Sequence, residues 1–293
     1  MKKNLILPII AILLVSLCLA SIYYYSSTQQ QVEEKTGKIS EEKIGVVVTL
    51  LPQAEFVEKV GGNRVKVIIM VPPGANPHIY EPTPSQLKKV SEAEIYFKVG
   101  SGVEFEKTWW DKILAAKPSI HVVDGSKGIK IVDKDPHIWT SPVNAKKMVK
   151  NFYAGLVEID PSHKDEYKMN MEKYLEELDK LDSYIQNKFA NFTNKVFLVY
   201  HPSFSYLARE YNLTQISIEH EGKEPSPQII QKCIEYAKKY HLSYVYVEPQ
   251  FTAKYAETIA REIGGKIVFL DPLPRSYVDG MKNVADLLSL EFE

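Results

Sequence analysis

The sequence predicts an α/β fold of two parallel-sheet lobes joined by a single long helix, and three observations predict it. Short apolar runs alternate with helical patterns twice over, once on each side of the chain's middle. A single amphipathic stripe of about 28 residues separates the two series. The chain has 293 residues, too many for one ordinary small domain and suited to two lobes of about 100–150 residues each.

The first series occupies residues 44–160. Ile44–Leu50 (IGVVVTL), Val65–Val71 (VKVIIMV), Glu94–Val99 (EIYFKV) and Ser119–Val123 are short, β-branched or aromatic runs that read as strands. Between them Gln53–Val60, Ser85–Val90 and Phe105–Ala115 read as helices, and Pro142–Glu158 follows as a fourth. This βαβ order implies a parallel sheet covered by helices. Pro161 then opens the long helix, residues 161–190. Its apolar positions are Tyr167, Met171, Tyr174, Leu178, Leu181, Ile185 and Phe189, spaced by three or four throughout, so one face meets a core. At 1.5 Å per residue it reaches about 40 Å, enough to strut two lobes. The alternation restarts in residues 191–293. Val196–Tyr200, Gln215–Ile218, Tyr244–Val247 and Lys266–Leu270 read as strands, and Ser203–Tyr211, Pro227–Tyr240, Ala253–Ile263 and Tyr277–Leu290 as helices.

The N-terminus follows a different logic. Lys2 and Lys3 precede an uncharged, nearly all-apolar stretch from Leu5 to about Tyr25. Roughly twenty such residues cross a bilayer core, and no small-x-small cleavage site is evident. Residues 1–25 are therefore expected to anchor the chain in a membrane, or to direct its secretion if cleaved. The basic start puts the body outside the cytoplasm. Residues 26–43 are polar and aperiodic, the composition of a disordered tether.

Bulk chemistry narrows the function. The 36 basic and 37 acidic residues nearly cancel, so no excess of cations exists to neutralise nucleic-acid phosphates. Of two cysteines, Cys18 lies in the apolar stretch, where VSLC has leucine in place of the small residue a lipid-attachment site favours. Cys233 is left without an obvious partner. Neither a disulfide framework nor a thiolate zinc cluster can be built, so any metal must be held by imidazole and carboxylate.

Four residues stand out for that role. His78 (GANPHIYEPTP), His137 (DKDPHIWTSP) and His201 (VFLVYHPSF) each lie beside a proline in a loop, and His201 and Asp271 (VFLDPLP) directly follow predicted strands. Ligands of parallel α/β sheets bind outside the carboxyl ends of the strands. His78 and His137 belong to the first lobe and His201 and Asp271 to the second, so the four can converge on the cleft between lobes. Neighbouring prolines stiffen the loops. Three imidazoles and one carboxylate suit zinc, iron or manganese, and a filled tetrahedral shell leaves no position for a catalytic water. His121, His163 and His241 read as structural or solvated. His220 lies in a surface-type loop. Glu248, at a strand end, reads as structural rather than as a ligand. Trp139 and Tyr80 read as walls of the site.

The segments GANPHIYEPTPSQ, DPHIWTSPVNA, YHPSFSYLAREYNL, EPSPQ, VEPQFTAKYAETIA and LDPLPRSYVDGMKNV resemble, in order and spacing, the zinc/manganese-type solute-binding proteins of ABC transporters. The resemblance runs from about residue 44 to the C-terminus. It implies a monomeric, non-enzymatic, extracytoplasmic protein that captures a metal in the cleft and presents it to a permease with its ATPase. The implied ligands are His78, His137, His201 and Asp271. Histidine at the third position is typical of the zinc binders, so His201 implies zinc as cargo, with manganese or iron(II) as alternatives. One departure is that Gly125–Asp135 (GSKGIKIVDKD) lacks the histidine-rich loop many zinc members carry there. Two other readings need different features. A metallohydrolase would require an open metal position and a base such as Glu248, and no HExxH helix exists to support it. An adhesin would use the metal only to stabilise its fold.

Overall fold

The computed structural model describes residues 20–27, 43–219 and 223–292. Residues 20–27 are helical. Most of the expected anchor and tether, and His220, lie outside the described residues. Among those residues no helix is long and apolar enough to cross a membrane.

Two four-stranded parallel sheets form the frame. The first orders its strands β2-β1-β3-β4, where β1 is Ile44–Val48, β2 Val65–Ile69, β3 Ile95–Lys98 and β4 His121–Asp124. The second has the same order, β6-β5-β7-β8, with β5 Val196–Val199, β6 Thr214–Ser217, β7 Tyr244–Val247 and β8 Lys266–Phe269. The central strands β1 and β5 are apolar at almost every position and buried on both faces, as a sheet covered by helices requires.

Helices α1 (Leu51–Gly61), α2 (Pro84–Glu92), α3 (Glu104–Ala116) and α4 (Pro142–Ile159) cover the first sheet. Prolines open α1, α2 and α4, where a missing N–H costs nothing. Thr83 and Ser141 cap α2 and α4 by accepting from backbone N–H groups of Gln86 and Asn144. Gly155 lets α4 lie close on β4, since a Cβ there would meet Val123 at 2.1 Å. The remaining helices are α5 (Lys164–Phe189), α6 (Ser205–Glu210), α7 (Pro227–Lys239), α8 (Lys254–Ile263) and α9 (Tyr277–Phe292).

The expected long helix divides at its start. Pro161–His163 forms a 3-10 turn and the α-helix proper begins at Lys164. Asp160 organises this turn by accepting from Ser162, His163 and Tyr167. Tyr167, Tyr174, Leu178, Leu181, Ile185 and Phe189 of α5 are buried as their spacing predicts, whereas Met171 only packs partly buried against the same core.

That core is continuous from Val46 in the first sheet through α5 to Leu288 in α9, so it spans both lobes. Polar bolts reinforce it. The Trp139 indole N–H donates to Pro272 O at 2.7 Å, and the Tyr277 hydroxyl donates to Trp139 O at 2.7 Å. Glu55 of α1 accepts from the Tyr277 N–H at 2.6 Å, so a side chain of the first lobe caps a helix of the second.

Candidate metal centre

The carboxyl ends of both sheets face one cleft. His201 lies just past β5, next to the point where the strand order reverses between β5 and β7, the usual ligand position of such sheets. His78 lies in the loop between β2 and α2, and His137 in the loop between β4 and α4. One ring nitrogen of each histidine lies within 4.8 Å of the other two. His78 Nε2 is 3.3 Å from His201 Nε2, which is 3.2 Å from His137 Nε2. His137 and His201 are buried and His78 is half-buried.

Two carboxylates decide what those nitrogens can do. Asp135 Oδ1 meets His137 Nδ1 at 2.7 Å and also accepts from the His137 backbone N–H at 3.0 Å. Glu219, itself buried, pairs with His201 Nδ1. An ionised carboxylate only accepts, so Nδ1 carries the proton in both rings, and each ring in its neutral form has its lone pair on Nε2. The short Nε2···Nε2 contact between them is therefore no hydrogen bond. It sets two lone pairs side by side, an arrangement that a cation relieves. Zinc–nitrogen bonds of about 2.0–2.1 Å at tetrahedral angles put ligand nitrogens about 3.3–3.4 Å apart, close to both observed distances.

Burial favours the neutral, metal-binding form of two of the imidazoles, His78 and His137. His78 is pushed down to about 4, first by burial and then by the charges of His201 and His137. His137 is lowered by burial, against the opposing pull of Asp135. Burial raises Asp135, but its hydrogen bonds from His137 outweigh that and leave it below its usual range. Apolar walls complete the pocket: Val103, Trp139, Phe251 and Leu273 line it with Pro77, Pro136 and Pro272. The Phe251 ring stacks on His201 with centroids 4.8 Å apart.

Asp271 follows β8 at the cleft but stands apart from the three-histidine group. Its Oδ1 accepts from Gln250 Nε2 and from the Leu273 N–H, both at 2.9 Å. Glu248 is fully buried beneath His201, where it accepts from the His201 N–H and the Ser203 hydroxyl. Burial pushes it up to about 7. Trp139 lines the pocket, whereas Tyr80 turns away to donate its hydroxyl to Gln86. His121 pairs with Glu158, and His163 with Asp160, and neither histidine belongs to the three-histidine group. Asp135 and Glu219 are residues of the site that the sequence pattern does not single out. Asp135 lies two residues before a candidate ligand, the signal that could have found it, but Glu219 reaches His201 across 18 residues.

Comparison with known proteins gives a consistent answer. Residues 46–289 match the family model described as zinc-uptake complex component A, periplasmic. The high-affinity zinc uptake system protein ZnuA of Bacillus subtilis is 30% identical over 296 residues, covering 90% of each chain. The zinc-binding lipoprotein AdcA of Streptococcus pneumoniae is 28% identical across 90% of this chain, which spans about half (55%) of that longer relative. A crystal structure of ZnuA superposes with a TM-score of 0.84 at 38% identity, covering 86% of this chain and all of that one.

Proposed function

The chain belongs to the zinc-uptake complex component A family, and on that premise we propose that it captures one zinc ion outside the cytoplasm through His78, His137 and His201 and delivers it to an ABC transporter. The observation that carries the site assignment is the pair of Nε2···Nε2 contacts at 3.2 and 3.3 Å, in which Asp135 orients the His137 ring and Glu219 the His201 ring. Asp271 is the fourth ligand in this proposal, reached when its side chain leaves Gln250. Its place beside Pro272 and Leu273 of the pocket wall supports the assignment. The imidazole-rich set favours zinc over manganese, which prefers oxygen ligands.

The receiving machinery is a permease with its cytoplasmic ATPase. The nearly all-apolar, uncharged run from Leu5 to about Tyr25 holds the protein at the membrane, with residues 26–43 as tether. The test is metal analysis and competitive chelator titration of the chain and of His201→Ala. One tightly bound zinc per chain, lost or much weakened in the variant, is the expected result. Stoichiometric manganese or iron would keep the site and change the cargo. No bound metal at all would refute the assignment.

A further inference from the structure

The loop that carries His137 has an unusual backbone. Asp133 and Lys134 are consecutive non-glycine residues with φ of 54° and 59°, in the left-handed region. Such residues persist only where the surroundings hold them. Within the loop, the Asp135 N–H donates to Val132 O at 2.9 Å. The rest of the hold comes from the other lobe. The Tyr206 hydroxyl accepts from the Val132 N–H at 3.1 Å and donates to Asp135 O at 3.0 Å. One hydroxyl thus closes both ends of the turn. Tyr206 is buried, and its neighbour Arg209 pairs with Asp133 at 2.7 Å.

Tyr206 is also tied to the second ligand. It lies in α6, which begins four residues after His201. Asp135, whose carbonyl Tyr206 holds, spends Oδ1 on both N–H groups of His137. A continuous path therefore runs from the His201 segment through Tyr206 and Asp135 to the His137 ring. Apart from the His78–His201 ring contact at 3.3 Å, no corresponding cross-lobe hydrogen bond to the His78 loop is seen among the described residues. That loop is held within its own lobe, by His78 N–H to Asn76 and by Trp109 Nε1 to Tyr80 O.

We propose that Tyr206 is a positioning residue for metal capture, its hydroxyl setting the His137 loop against the His201 segment so that two ligands from different lobes meet the ion already spaced. This rests on the zinc-capture reading above. Partners that orient metal-bound histidines typically affect affinity 10–100-fold when removed. Tyr206 acts one step further out, so the effect belongs near the lower end.

The experiment is a double-mutant cycle on the full chain, read as zinc affinity against a competing chromophoric chelator. Tyr206→Phe keeps the ring and removes only the hydroxyl, and thermal melts of the metal-free proteins check folding. The expected loss is about tenfold in the wild-type background and of similar size in His78→Ala. In His137→Ala, where there is no ring left to position, it should shrink to within about twofold. An unchanged affinity in Tyr206→Phe would overturn the proposal, and so would an equal loss in all three backgrounds, which marks general loosening. Failure of the wild-type chain to bind zinc would refute the capture reading itself, and the proposal with it.

Discussion

Glu219 offers the sharpest test of how the site gains its affinity. It is 3% exposed and pairs with the Nδ1 of a ligand that is 6% exposed, so solvent and salt screen the interaction little. Glu219→Gln keeps an oxygen acceptor for the Nδ1 proton and removes the charge. Hydrogen bonds to charged groups contribute about 1.5–3 kcal/mol and neutral ones about 0.5–1.5 kcal/mol. The difference, about 1–1.5 kcal/mol, is roughly tenfold in zinc affinity. Glu219→Ala removes the acceptor as well, frees the tautomer and ring orientation of His201, and should cost up to about 100-fold. The assay is competition with a chromophoric zinc chelator at two salt concentrations. The expected order is wild type, then Gln, then Ala, with the same ratios at both. Glu219→Ala within twofold of wild type would refute the argument that this carboxylate orients the ligand. A loss that vanishes at high salt would show that the charge acts from solvent and not through the buried pair.

Two further predictions concern stability. Leu178 is fully buried at the centre of α5, where the shared core meets both lobes, so Leu178→Ala should destabilise the fold by about 2–5 kcal/mol in urea unfolding. A change under 1 kcal/mol would show that α5 is not integral to that core. Glu291 accepts from the Ser243 and Tyr244 N–H groups, yet burial raises it to about 6. A carboxyl raised in the folded state contributes stability below its ordinary value of about 4.5, and that contribution is lost as pH rises through about 6. Glu291→Gln removes this titration, so its stability relative to wild type should rise between pH about 4.5 and 6 and then level off. A difference that does not vary with pH would show that Glu291 is not raised.

Local chemistry made most of the architecture legible. Strands such as Tyr244–Val247 announce themselves because a strand covered on both faces must be apolar at every position. The α5 stripe does so because the helical period leaves only one face for the core. His78, His137 and His201 could be singled out because each lies beside a proline in a loop, a pattern written in adjacent residues. What the residues beside them could not reveal depends on how the two lobes meet. The pairing of Glu219 with His201 is set by the register of β6 beside β5, and the Tyr206 bridge by α6 reaching the opposite lobe. The hold of Gln250 on Asp271 depends on the spacing of the loops after β7 and β8. The elements, their parallel order and four candidate ligands were thus legible in short stretches of chain, because periodicity and turn chemistry act over a few residues. Which carboxylate orients which imidazole, and how far apart the imidazoles sit, emerge from the folded arrangement. Those are distances between segments far apart in the chain, and they follow from packing against a shared core.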